Sequence, residues 1–384
     1  MKKVTTIVII CLIIFPNISH AQENIQYLGL NSESAILIDA MTGEVLYDKN
    51  SQQPMYPASL TKTVTAIVAI EEGDLNDTVT VSKKARSVDG TRVYLEAHEQ
   101  VKLKKLVQGL LINSGNDAAV AIAEHMDGSV QAFTERMNRF AEENIGVHQS
   151  NFRNPHGLYQ PKHVTTAEDM AKITQYAMSN DTFKEIAGTK QLTWDGKGWD
   201  TTLYNHHRLL RQRDDVTGVK NGYVIQAGFT LSTSATQEHI NLIAITLNAD
   251  SANRAYNDTE KLLEYGFNNF ETYTVKPDQT FINDQGEKFI LNHSLNFTGT
   301  KNANWTKEMN PNDELVIKGQ NGEILLEHQL TPLKTVQTAA VSSSNSDSDL
   351  SQLNIWWIGL IALLTLKIFI YLFIRYKRRK SRFF

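Results

Sequence analysis

From Leu353 to Ile374 the chain is almost wholly apolar, and Arg375-Tyr376-Lys377-Arg378-Arg379-Lys380 follows at once. A helix needs ~20 apolar residues to cross a bilayer, so residues 353–374 are expected to form a transmembrane helix. Trp356 and Trp357 stand at its outer edge, where amphipathic rings favour the headgroup region. The positive-inside rule then leaves the basic tail, 375–384, in the cytoplasm and everything before the span outside. Lys367 interrupts the run, but a lysine can snorkel or face a partner helix. A helix lying on the membrane surface would carry charge along one whole face, and this segment does not.

The other end agrees with that topology. Lys2 and Lys3 precede an apolar run from Val4 to Phe15, and Ser19-His20-Ala21 makes a small-x-small cleavage site. This is the layout of a secretory signal peptide over 1–21. The only cysteine, Cys11, falls within it, so the exported chain is expected to use neither disulfides nor thiol chemistry. Its core must hold it together, and the remaining length is ample for one or two domains. A net charge of -4 is too mild to argue for a nucleic-acid partner.

Between the ends the hydrophobic period changes twice. Residues 34–49 read as two strands around a Met41-Thr42-Gly43 turn. Helical periodicity covers 58–72, 103–112, 118–125, 130–143 and 167–178. Thr230–Ala235 and Ile240–Leu247 read as adjacent strands of one sheet, and 254–265 as a further helix. Strands at both ends with helices between predict an α+β domain whose sheet joins distant segments, spanning 22–270. Short alternating stretches separated by Asn, Asp and Gly predict a small β-rich domain over 271–338. A Ser- and Asn-rich linker, 339–352, leads to the membrane.

Three short motifs carry candidate chemistry. In Ser59-Leu60-Thr61-Lys62 a lysine sits one helical turn from a serine and on the same face, within reach of its hydroxyl. Serine is a poor nucleophile until a base takes its proton, and Lys62 can be that base only if burial or a neighbouring cation keeps it neutral. Alone the pattern is weak, because S-x-x-K arises by chance about once or twice in such a chain. Ser114-Gly115-Asn116, between two helices, can hold a hydroxyl and an amide toward a cleft, though it also reads as a capping turn. Lys220-Asn221-Gly222 precedes a strand; a cation beside a glycine suits an extended peptide ending in a carboxylate, and equally an ordinary turn.

Taken in this order, the three motifs resemble S-x-x-K, S-x-N and K-T-G of the low-molecular-mass penicillin-binding proteins, the serine-type D-alanyl-D-alanine carboxypeptidases. The likeness extends to Pro57-Ala58, Gly109–Ala119, Phe152–Leu158, Thr166–Ala171, Asn205–Leu210 and Leu262–Phe267, and covers roughly residues 28–270. It implies a penicillin-binding, serine β-lactamase-like fold with a helical cluster packed on an antiparallel sheet. It also implies that Ser59 attacks the carbonyl of the penultimate D-Ala of a peptidoglycan stem peptide, that Lys62 takes its proton, and that Ser114 relays a proton to the leaving amine. Asn116, Lys220, Asn221 and Gly222 would hold the substrate, and the amides of Ser59 and Tyr223 would form the oxyanion hole. β-Lactams would acylate the same serine, and no cofactor is implied.

Two departures stand out. Asn221 replaces the family's threonine, so weaker carboxylate recognition is expected; His98 replaces a glycine before Glu99, which puts that loop's geometry in question. A β-lactamase on this fold, with Glu168 as the deacylating group, a transpeptidase, and a non-catalytic peptidoglycan-binding homologue remain alternatives. Metal chemistry is not expected. There is no H-E-x-x-H and no Cys-rich cluster, and if His206 and His207 lie on a strand they face opposite ways. His156 reads as a structural turn residue rather than a base.

Overall fold

The computed structural model describes residues 27–333. The segments expected to be a signal peptide (1–21), the linker and the membrane span with its basic tail lie outside the described residues. Among those described, no helix is long and apolar enough to cross a membrane.

A five-stranded antiparallel sheet organises residues 27–270. Its strands lie in the order Val45–Lys49, Ser34–Asp39, Ile240–Ala249, Gly228–Gln237, Val216–Val224. The two strands around Met41–Gly43 pair as expected, as do the two read as neighbours after residue 228. Ser34–Asp39 pairs with Ile240–Ala249 across some 200 residues of sequence, Ala35 facing Thr246 and Leu37 facing Ala244. This joins the distant segments.

Alternation along these strands explains why both faces are covered. Ile36, Ile38, Ile243 and Ile245 point into one core with the helices Thr61–Glu72, Leu103–Ile112, Asn116–Asp127, Val130–Phe140 and Ala167–Ser179. Ala35, Leu37, Leu242 and Ala244 point into the other, against Leu262, Leu263 and Phe267 of the helix Ala252–Asn269. A strand's successive side chains face opposite ways, so a strand apolar at every position is buried twice.

Beyond Asn269 the backbone becomes strands, Phe270–Val275 to Thr331–Pro332, around a separate core of Val275, Phe289, Phe297, Leu315 and Ile317. The strands Thr280–Ile282, Leu295–Thr300 and Trp305–Met309 were not anticipated. Nor was the hairpin Gln191–Asp195/Asp200–Tyr204, whose sequence carries few consecutive apolar residues.

Candidate active site

The segment read as one helix from residue 58 is instead a 3-10 turn, Ala58–Leu60, followed by an α-helix, Thr61–Glu72. Ala58 has φ 49°, a region that non-glycine residues rarely occupy and that persists only where the surroundings enforce it. The enforcement is visible. A methyl group on Gly157 would stand 1.8 Å from the Ala58 carbonyl oxygen, so this glycine, itself at φ +89°, lets one backbone press against the other. On the far side Thr230 Oγ1 donates to the Pro57 carbonyl at 3.2 Å.

Ser59 is half-buried and Lys62 wholly so. Lys62 Nζ lies 3.0 Å from Ser59 Oγ and donates to the His156 carbonyl at 2.6 Å. Burial first, and then the nearby Lys220, hold its ammonium well below the usual lysine range, against a weaker opposite pull from Asp117. A neutral amine is what proton abstraction from a serine requires.

Lys220 and Gly222 lie on Val216–Val224, an edge strand of the sheet. A methyl on Gly222 would stand 2.7 Å from the Ser59 amide nitrogen, which fixes how closely this edge approaches the serine. Lys220 is 1% exposed, donates to the Asn221 carbonyl at 3.1 Å, and is pushed down to about 7 by burial. Asn221 Oδ1 is buried with no hydrogen-bond partner. Tyr223 turns its ring outward, 54% exposed, onto Phe229 with centroids 4.4 Å apart.

Ser114 lies between Leu103–Ile112 and Asn116–Asp127, buried and at φ 63°. Among the described residues no hydrogen bond joins it to Ser59 or Lys62. Asn116 is buried, its amide nitrogen donating to the Asp89 carbonyl at 2.7 Å. Asp117, the next residue, acts on Lys62 through its charge.

The surrounding residues answer other expectations. Glu168 pairs with Lys172 at 2.7 Å on the helix Ala167–Ser179, and not with Ser59 or Lys62. His206 and His207 are not on a strand. His207 caps the helix Arg208–Gln212 and is buried against Thr233 at 2.9 Å, while His206 is exposed. A histidine can accept from a backbone amide as serine does; the strand premise fails, and one residue of the pair is buried while the other is exposed. His98 adopts φ 66°, so the loop keeps a glycine-like backbone without the glycine. The His156 ring accepts from Leu158 N at 3.2 Å and is held down to about 3 by burial, hence neutral. The Asn-Pro-His-Gly run signals a turn in the sequence, but not that its His156 carbonyl meets Lys62 or that Gly157 meets Ala58. Among the described residues no group of three or more metal-ligating side chains converges.

A hydroxyl beside a buried lysine, at the head of a helix and against the open edge of an antiparallel sheet, fits one class: a serine acyl-transfer enzyme. Known proteins narrow it. A family model described as D-alanyl-D-alanine carboxypeptidase matches residues 20–251. D-alanyl-D-alanine carboxypeptidase DacF of Bacillus subtilis (strain 168) is 34% identical over 263 residues, 66% of this chain and 67% of that protein. DacC of Escherichia coli (strain K12), of the same description, is 34% identical over 295 residues, 72% of each. The solved structure of penicillin binding protein 5 from Haemophilus influenzae superposes with a TM-score of 0.70 at 28% identity, covering 79% of this chain and 97% of that one. The chain belongs to the D-alanyl-D-alanine carboxypeptidase family and is a serine-type carboxypeptidase.

Proposed function

We propose that Ser59 is the nucleophile, that neutral Lys62 takes its proton, and that together they cleave the terminal D-Ala from a peptidoglycan stem pentapeptide. The 3.0 Å approach of a fully buried lysine to the Ser59 hydroxyl carries this reading. The stem peptide lies along the edge strand Val216–Val224, where an extended chain finds free backbone partners. Gly222 admits it close to Ser59, and the amides of Ser59 and Tyr223 receive the developing oxyanion. Protonated Lys220 and the amide nitrogen of Asn221 meet the terminal carboxylate. Asn116 holds the substrate amide, and Ser114 passes a proton to the departing amine. Water then resolves the acyl-enzyme, and a β-lactam is trapped at the same step. Glu168 pairs with Lys172 and makes no hydrogen bond to Ser59 or Lys62, which favours a carboxypeptidase over a β-lactamase.

Residues 22–270 and 271–338 act as a catalytic and a β-rich domain, the second a spacer above the membrane. The chain is exported by residues 1–21 and anchored by 353–374, with the catalytic domain outside the cell. Sequence supports that topology.

Release of D-Ala from a synthetic pentapeptide tests the assignment. Ser59→Ala should abolish release, and Asn221→Thr should raise the rate by restoring a short hydroxyl donor. Undiminished release by Ser59→Ala would remove the nucleophile, and identical rates for Asn221→Thr would remove the carboxylate role.

A further inference from the structure

Tyr94 is a bulky residue held in the left-handed backbone region and turned out of the core. Its φ is 56°, its ring is 49% exposed, and its neighbours Val93 and Leu95 are buried. The cause is Asp117: Oδ1 accepts from Val93 N at 3.0 Å and Oδ2 from Leu95 N at 3.1 Å. One carboxylate thus grips the backbone on both sides of Tyr94 and throws the ring outward. Trp199, half-buried in the turn of the hairpin Gln191–Asp195/Asp200–Tyr204, meets that ring edge-on with centroids 5.1 Å apart. The Arg92 guanidinium lies 5.2 Å from the same ring. The hairpin turn is itself fixed. Glu99 accepts from Glu96 N at 2.8 Å and from Lys197 N at 3.2 Å, and a methyl on Gly198 would come 2.3 Å from the Tyr94 carbonyl.

We infer that Tyr94 and Trp199 form a carbohydrate subsite beside the catalytic cleft, which takes the sugar to which the stem peptide is joined. The inference rests on the carboxypeptidase reading above and adds a second portion of the substrate. Three observations favour a sugar as the occupant. Aromatic faces carry negative charge density and pair with the C–H faces of a pyranose, while the Arg92 guanidinium that lies over one side of the Tyr94 ring suits its oxygens. The platform is rigid before anything binds, so little ordering is lost on docking. It is also continuous with the catalytic loop, because the Thr91 carbonyl accepts from Asn116 N at 2.7 Å. Tyr94 is three residues further on, hence within about 11 Å of that contact, while an extended five-residue stem spans about 17 Å. The Asp117 carboxylate that grips the backbone on both sides of Tyr94 also acts on Lys62, so the platform stands beside the place where the D-Ala end is held.

The test compares kcat/KM for D-Ala release from a bare pentapeptide and from the same pentapeptide joined to its N-acetylated disaccharide, using the full chain. Wild type should favour the disaccharide form about fivefold, through KM, the effect of roughly one stacked ring. Trp199→Ala should bring the ratio to one and Trp199→Phe should keep most of it. Equal rates for wild type on both substrates, or an unchanged ratio in Trp199→Ala, overturn the subsite. Loss of release from both substrates by wild type would instead strike the carboxypeptidase reading. Peptide-free N-acetylated oligosaccharide then decides the subsite without turnover. Saturable quenching of tryptophan fluorescence in wild type that disappears in Trp199→Ala supports it; quenching that persists, or none in wild type, overturns it.

Discussion

Two buried lysines, Lys62 beside Ser59 and Lys220 close enough to act on Lys62, set the chemistry available at neutral pH. Lys62 is pushed down by burial and by Lys220, and Lys220 by burial alone, to about 7. A cation at Lys220 keeps Lys62 neutral, so the base works best while its neighbour is charged. On the free enzyme, kcat/KM should rise as Lys62 loses its proton and fall as Lys220 loses its own, with the alkaline limb near about 7. A bound carboxylate stabilises the Lys220 charge, so the alkaline limb of kcat should lie at higher pH than that of kcat/KM. pH–rate profiles check this; coincident limbs would separate Lys220 from the substrate carboxylate. Folding follows the opposite sign. Between about 7 and the ordinary 10.5 the unfolded chain holds a proton at Lys220 that the folded chain has lost, so this residue makes stability rise with pH across that window. At this scale Ser59 and Lys62 were legible because a spacing of three in a helix is a contact. The unsatisfied Asn221 Oδ1 was not, since whether an amide finds a partner depends on elements far away in the chain.

Elements place those residues by close backbone approach more than by side-chain bonding. The edge strand Val216–Val224, the turn at Gly157 and the 3-10 turn at Ala58 meet where two glycines remove what would otherwise collide. Gly222→Ala puts a methyl 2.7 Å from Ser59 N and 3.0 Å from Ala58 Cβ, so the serine must move. Displacements of about 1 Å cost catalysis on the order of a hundredfold, and that loss in kcat/KM is expected with folding retained. Steady-state kinetics beside a thermal melt would show it; wild-type turnover would mean that the strand does not fix Ser59. The long helices were readable because their apolar residues recur with period 3.6, and the central strands because β-branched runs have few other uses. The 3-10 turn was hidden: Pro57-Ala58-Ser59 looks like an ordinary helix start until Gly157 presses on it. The hairpin carrying Trp199 was hidden too, because it is held by Glu99 and by packing rather than by a pattern of its own.

Over the whole of the described structure, a buried carboxylate is among the groups that join the sheet to the later strands. Asp39 is fully buried and its Oδ2 accepts from Thr272 Oγ1 at 2.5 Å and Thr298 Oγ1 at 2.8 Å. Asp39→Ala leaves both hydroxyls without that acceptor, at a cost of about 2 kcal/mol. The melting temperature should fall while release of D-Ala from a soluble pentapeptide is kept. Collapse of turnover in a still-folded variant would make the later strands part of the catalytic machinery rather than a spacer. Nothing in the sequence announced this junction, since Asp39, Thr272 and Thr298 are ordinary polar residues until the fold brings them together.

The central claim is that Ser59, activated by a neutral Lys62, forms the acyl-enzyme. Peptide mapping by mass spectrometry after incubation with labelled penicillin tests it most directly. One adduct per chain is predicted, on the peptide containing Ser59, persisting for hours as a carboxypeptidase ester should and absent from Ser59→Ala. An adduct on another residue, or one retained by Ser59→Ala, would contradict the account; an adduct lost within seconds would make the protein a β-lactamase.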